Sequence, residues 1–224
     1  MGFSLPVAGE VVRTGAERAT LVRRTYGLVL VSVLFTVVGV GIGLTQPSMM
    51  EFVIRHPIIS MLFTLAPLLM ATRVRARFPA NVGLVLLFTV MMGLVISPLM
   101  YFYGQRNPDL IWQAGGLTLT TFGVLTAYAW ISRRDFSAWG SFFAVGLWVL
   151  IGTSLLNLFF QSAMADLWIA GATVLVFSGL LIFDTWRLRN VYGPDDYVLA
   201  AVQIYLDLLN MFMAILRLLG GRRD

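Results

Sequence analysis

Residues 198–219 read VLAAVQIYLDLLNMFMAILRLL. As a helix the stretch is long enough to cross the ~30 Å hydrocarbon core of a bilayer. It nevertheless carries Gln203, Asp207, Asn210 and Arg217. Their spacing places all four on one helical face. An ionised carboxylate at the centre of a membrane helix costs at least ~2.5 kcal/mol, so that face must look toward other helices, a cation or water and not toward lipid. The stretch is therefore expected at the centre of a helical bundle.

A second carboxylate, Asp184, closes the preceding apolar segment, Leu167–Phe183. The whole chain supports the membrane reading: 58% of residues are hydrophobic and only 12% charged, too little polar surface to cover a soluble core of this size. There is no cysteine, which excludes disulfides and thiolate metal sites. The positive balance comes entirely from arginine. The arginines gather at segment ends, so the basic pI is read as membrane topology, not nucleic-acid binding.

The apolar segments are Tyr26–Leu44, Pro57–Thr72, Val82–Tyr103, Leu110–Ile131, Trp139–Phe160, Leu167–Phe183 and Val198–Leu219. The second is short and could begin nearer Phe52. Gln46-Pro47, Phe78-Pro79, Asn107-Pro108 and Gly193-Pro194 punctuate the joins. Residues 1–25 are expected to form an amino-terminal arm, 26–219 the transmembrane domain and 220–224 a tail. Arginines crowd the arm, the loop with Arg73, Arg75 and Arg77, the Arg133–Arg134 loop and the Arg187–Arg189 loop, whereas the opposite loops hold only Arg55 and Arg106. The positive-inside rule then puts the amino terminus in the cytoplasm. Seven crossings leave Arg222 and Arg223 on the other side, so the carboxyl-terminal side stays open between that and an incomplete last crossing. Trp112, Trp130, Trp139 and Trp168 are expected in the interfacial aromatic belt.

Asp184 lies ~25 Å along a helix from Leu167 and Arg73 ~24 Å from Pro57, on tracks that end on the same side. The two can share a level, so Arg73 is the candidate latch for Asp184, with Arg75 and Arg77 as competitors. Asp207 reaches Asp184 if the last helix starts above the membrane surface. Two adjacent carboxylates do not both ionise cheaply and would share one proton. The pair Asp184 and Asp207 is the candidate pH sensor and gate, with Gln203 and Asn210 as supporting polar groups. The same oxygens would suit a weakly held calcium ion. A structural lock without any gating is the alternative. His56 is read as solvated. No nucleophile–base pair, phosphate loop or zinc helix is visible, so an enzyme is not expected.

Five stretches resemble the Bax inhibitor-1 family, in its bacterial branch: Leu21–Tyr26, Ile96-Ser97-Pro98, Arg133–Gly140, Phe183-Asp184-Thr185, and Ile204–Asn210 continuing to Leu216–Gly220. The resemblance implies an all-α membrane fold of seven transmembrane helices, six around a central seventh. It implies a pH-sensitive calcium leak in the inner membrane, with Asp184 and Asp207 as the di-aspartyl sensor and Arg73 as its latch. No tightly bound cofactor is expected; calcium or another cation would be transported. An acidic residue that some bacterial relatives carry in the second span is absent, because Met61–Met70 is uncharged. Family members are also linked to membrane proteases and to cell-death suppression. A non-conducting regulator that binds a membrane protein is thus the alternative function, and a proton-coupled cation exchanger the third.

Overall fold

The computed structural model describes residues 15–73 and 78–221, apart from the side chains of Thr72 and Arg73. Among them every regular element is helical: α1 (Gly15–Thr45), α2 (Pro47–Arg55), α3 (Pro57–Arg73), α4 (Ala80–Arg106), α5 (Asp109–Ile131), α6 (Trp139–Phe160), α7 (Ala163–Asn190) and α8 (Tyr197–Gly221). A single 3₁₀ turn, Pro194–Asp196, leads into α8. Six helices are each long and apolar enough to cross a membrane, and the bent α2–α3 pair passes the same test when taken as one span, which would make seven. The all-α transmembrane fold is as the sequence reading expected.

Local chemistry explains the breaks. Pro47 and Pro57 stand at the first positions of α2 and α3, where a missing N–H is harmless. The two helices meet at His56 with a bend of 106°. α2 therefore turns sharply away from the axis of α3. Gln161, with a left-handed φ of 48°, ends α6, and the Ser162 hydroxyl caps α7 by accepting from the Ala165 N–H at 3.2 Å. Pro98 sits inside α4 and leaves the Leu94 carbonyl without its usual donor. The Ser97 hydroxyl donates to that carbonyl at 2.8 Å. This accounts for the Ile96-Ser97-Pro98 stretch.

α8 is the centre. In its most apolar window 67% of residues are buried, against 6% in α6. Buried residues cover most of its circumference, from Val198 through Tyr205, Leu208 and Met211 to Leu216, and leave one half-buried stripe, Leu199, Gln203, Leu206, Asn210, Met213 and Arg217. The surrounding helices are not equivalent. α1, α4, α5 and α7 touch α8 directly, whereas α3 packs chiefly on α4 and α6 on α7. α1 begins at Gly15, inside the stretch read from sequence as the arm, and at 31 residues outruns a bilayer. Trp112 and Trp168 are exposed, as belt residues should be. Trp139 instead packs edge-on against Phe136 at 4.8 Å.

α1 and α4 make the closest helix pair. A Cβ on Gly39 would stand 2.1 Å from the Val90 carbonyl oxygen, and one on Gly93 would stand 2.2 Å from the Thr36 carbonyl oxygen. Small residues let the two backbones approach this closely. Beside the seam, Thr36 donates its hydroxyl proton to the Ser32 carbonyl at 2.9 Å, so the Tyr205 hydroxyl donates to Thr36 Oγ1 at 2.7 Å. That bond ties α8 to the seam.

The two ends of the bundle are marked by pairings between distant segments. Arg24 lies over the Tyr197 ring, and Arg189 reaches the Ser132 carbonyl, at the end where α1 starts. Arg217, near the end of α8, meets Asp166, near the start of α7, at the other. α8 thus finishes opposite the start of α1, as an odd number of crossings requires.

Candidate functional site

The polar face of α8 is its seam with α7. Going from the α1-start end, Gln203 accepts from the Tyr192 hydroxyl just beyond α7, Asp207 faces Asp184, and Arg217 pairs with Asp166 at 3.9 Å. The antiparallel run of α7 and α8 brings these partners into register. The 3₁₀ turn Pro194–Asp196 joins the two helices' connector to α8. Asp196 braces that turn by accepting from the Gly193 N–H at 2.9 Å, which is the role expected for an acid at a helix start.

Asp184 and Asp207 are brought together. Both are buried, at 6% and 4% exposure, and their carboxyl groups lie within hydrogen-bonding reach of each other. No N–H or O–H donor among the described residues reaches Asp207 Oδ2. A bond between two carboxyl groups exists only while one carries a proton, since an ionised carboxylate is purely an acceptor.

The cation at this site is one that sequence reasoning missed. Arg187 Nη1 donates to Asp184 Oδ1 at 3.3 Å, from one turn further along α7. Its guanidinium also lies over the Tyr192 ring at 4.6 Å and the Phe183 ring at 5.4 Å. Arg187 was counted with the loop arginines; the i, i+3 spacing of Asp184 and Arg187 was the signal that could have found it. Arg73 ends α3, and its side chain lies outside the described residues, as do Arg75 and Arg77.

The supporting amides are engaged elsewhere. Burial holds the Tyr192 phenol well above its usual value, so it stays protonated and donates to Gln203 Oε1. Asn210 Nδ2 donates to the Leu206 carbonyl of its own helix at 2.8 Å. Neither amide is bonded to an aspartate of the pair. Among the described residues no cluster of three or more His, Cys, Asp or Glu side chains could hold a metal ion.

The Arg133–Gly140 stretch builds the wall beside the pair. Asp135 accepts from the Ser137 N–H at 2.8 Å and from its hydroxyl at 3.0 Å, forming the turn into α6. Phe136 is buried with Ala129 and Ile182. A Cβ on Gly140 would meet the Phe183 ring at 2.5 Å, so α6 starts tight against the residue before Asp184. Arg189 closes the join by donating to the carbonyls of Ala129, Trp130 and Ser132 at 3.3, 2.7 and 3.0 Å. These are the orphan carbonyls of the α5 carboxyl end. Arg189→Ala is expected to cost about 2 kcal/mol and to speed amide exchange in residues 129–138, with little change in α8. Equal exchange in the two proteins would show that Arg189 does not hold this join.

A family profile described as "Inhibitor of apoptosis-promoting Bax1" matches residues 18–224. This chain belongs to the Bax inhibitor family. Bax inhibitor relatives include mouse (Mus musculus) "Protein lifeguard 4", 33% identical over 90% of this chain and 85% of the relative. "Bax inhibitor 1" of Schizosaccharomyces pombe is 32% identical over 91% of this chain and 77% of the relative. An "Uncharacterized membrane protein" of Vibrio cholerae is 40% identical over 59% of this chain and 60% of its own. The Bax inhibitor match runs from the first turns of α1 through α8 and so includes Asp184, Arg187 and Asp207.

Proposed function

We propose that this integral membrane protein is a proton-gated leak pathway for cations, with calcium as the cargo, and that Asp184 and Asp207 are its sensor. The carrying observation is the facing of two buried carboxyls with a single described cation, Arg187, beside them. One shared proton would hold α7 against α8. Its loss as pH rises leaves two like charges in a low-dielectric interior, which pushes the helices apart. Calcium takes ~6–8 oxygen ligands, and two carboxylates beside a guanidinium fall well short of that shell. Calcium therefore enters as a passing ion and not as a resident one. The test is calcium entry into liposomes that contain only the purified protein, across a pH series. Flux that rises with pH supports the pathway; no flux at any pH removes it.

One observation favours a second reading. The printed names of relatives, "Bax inhibitor 1" and "Golgi anti-apoptotic protein", describe inhibitory proteins. A non-conducting regulator that binds another membrane protein would fit those names. The absence of flux together with a stable membrane-protein complex would select it. Both readings set a non-enzymatic role.

The proposed membrane is the bacterial inner membrane, with the α1-start end in the cytoplasm, as the arginine count requires. Ser137 is exposed at that end, and the chain has no native cysteine to interfere. Ser137→Cys in intact bacterial cells is expected to resist an impermeant maleimide and to react after permeabilisation. Full labelling of intact cells would invert the topology.

A further inference from the structure

At the end of the bundle away from the aspartate pair, α4, α5, α7 and α8 leave a cavity of about 410 Å³. That volume lies within the ~300–1,000 Å³ of small-molecule sites and exceeds the need of a bare ion. Two arginines, Arg106 and Arg217, and one acid, Asp166, line it, together with apolar Leu110 and Leu167. Among the described lining residues basic side chains outnumber acidic ones by two to one.

Arg217 is under-used. Its contact with Asp166 is long, at 3.9 Å, and among the described residues it donates no hydrogen bond. A guanidinium carries ~5 donors arranged to grip phosphate or carboxylate oxygens in pairs. Its side chain is 37% exposed, so the guanidinium can be reached from outside the bundle. Arg106 lies over the Phe102 ring at 4.3 Å on the opposite wall.

The level of the cavity is marked independently. Trp112, on the first turns of α5 beside Leu110, is 80% exposed, and Trp168, next to Leu167 on α7, is 75% exposed. Tryptophans near the ends of transmembrane helices are enriched at headgroup depth. We propose that this cavity binds a phosphate-bearing anion, and that the anion is the headgroup of an anionic phospholipid in the adjoining leaflet. Arg217 would take the phosphate, and Leu110 and Leu167 the start of the acyl region.

Asp166 supplies a test of sign, because it competes for Arg217. The delipidated full-length protein in detergent is exposed to phosphatidylglycerol or phosphatidylcholine at equal concentration, and retained lipid is read by native mass spectrometry. Phosphatidylglycerol should be retained about tenfold better, because both lipids offer the same phosphate but phosphatidylcholine also brings a cation against the arginines. Arg217→Gln should remove most of that preference and Arg217→Lys only part of it. Asp166→Asn should strengthen retention. Inorganic phosphate is run as a competitor. Displacement of the lipid at equimolar phosphate would overturn the lipid as source and leave the phosphate chemistry standing. Equal retention of the two lipids, or weaker retention by Asp166→Asn, would overturn the site. If Arg217→Gln does not fold, the Asp166→Asn result decides.

Discussion

Asp184→Asn and Asp207→Asn are each expected to flatten the pH dependence of calcium flux in liposomes. For the wild type, a response governed by one proton is limited to about tenfold per pH unit. Asn keeps the shape of Asp and most of its hydrogen bonding but cannot exchange the shared proton. Because the titration belongs to the pair, either substitution should remove nearly all of it. The double variant should then add little, as expected of two groups that act as one unit. Arg187→Gln is the companion measurement. It removes the charge 3.3 Å from Asp184 while leaving both carboxyls in place. It should change the level of flux or the stability and preserve a pH-dependent profile. Should both single Asn variants fold and retain the wild-type profile, the pair is a structural lock and no sensor.

Gly93→Ala is expected to be among the most damaging single-methyl additions in the chain. The new Cβ would lie 2.2 Å from the Thr36 carbonyl oxygen and 2.8 Å from the Gly39 Cα. Both are backbone atoms, so no rotamer change relieves the clash. α1 and α4 must separate, which should cost about 3 kcal/mol, the upper part of the usual overpacking range. The Tyr205–Thr36 bond lies beside the same carbonyl and would be strained with it. Gly39→Ala should behave alike. Gly41→Ala is the internal control, since its Cβ meets nothing within 4 Å; in a helix it should be neutral or slightly stabilising. Thermal denaturation in detergent would measure all three. Equal melting of Gly93→Ala and Gly41→Ala would mean that α1 and α4 are not in this close contact.

Much of the site was legible because its signals are local. Asp184 and Asp207 stood out as charges in apolar runs, and the spacing of Gln203, Asp207, Asn210 and Arg217 gave a helical face. That face buries Asp207, whereas it leaves Gln203, Asn210 and Arg217 only half-buried. Its partners were not legible, because they depend on the register of α7 against α8. Gln203 looked like support for Asp207, yet its oxygen is taken by Tyr192, a residue in the connector. Arg187 was assigned to a loop because hydropathy falls at Phe183, while the hydrogen-bonded helix continues to Asn190. A drop in hydropathy marks the edge of the bilayer and not the end of a helix.

The sequence by itself determined the membrane class, the positions of the apolar spans, the central place of α8 and the two carboxylates. These follow from burial and periodicity, which act over a few turns of one helix. Only the tertiary structure decided that α2 bends away from α3 and that α3 and α6 flank the bundle instead of touching its centre. It alone decided that Arg187 stands at Asp184 and that Arg217 serves the opposite end with Asp166. These outcomes rest on how far neighbouring helices slide and rotate against each other. Close contacts such as Gly93 against Thr36 set that registry, and the hydropathy pattern of either helix taken alone does not contain it.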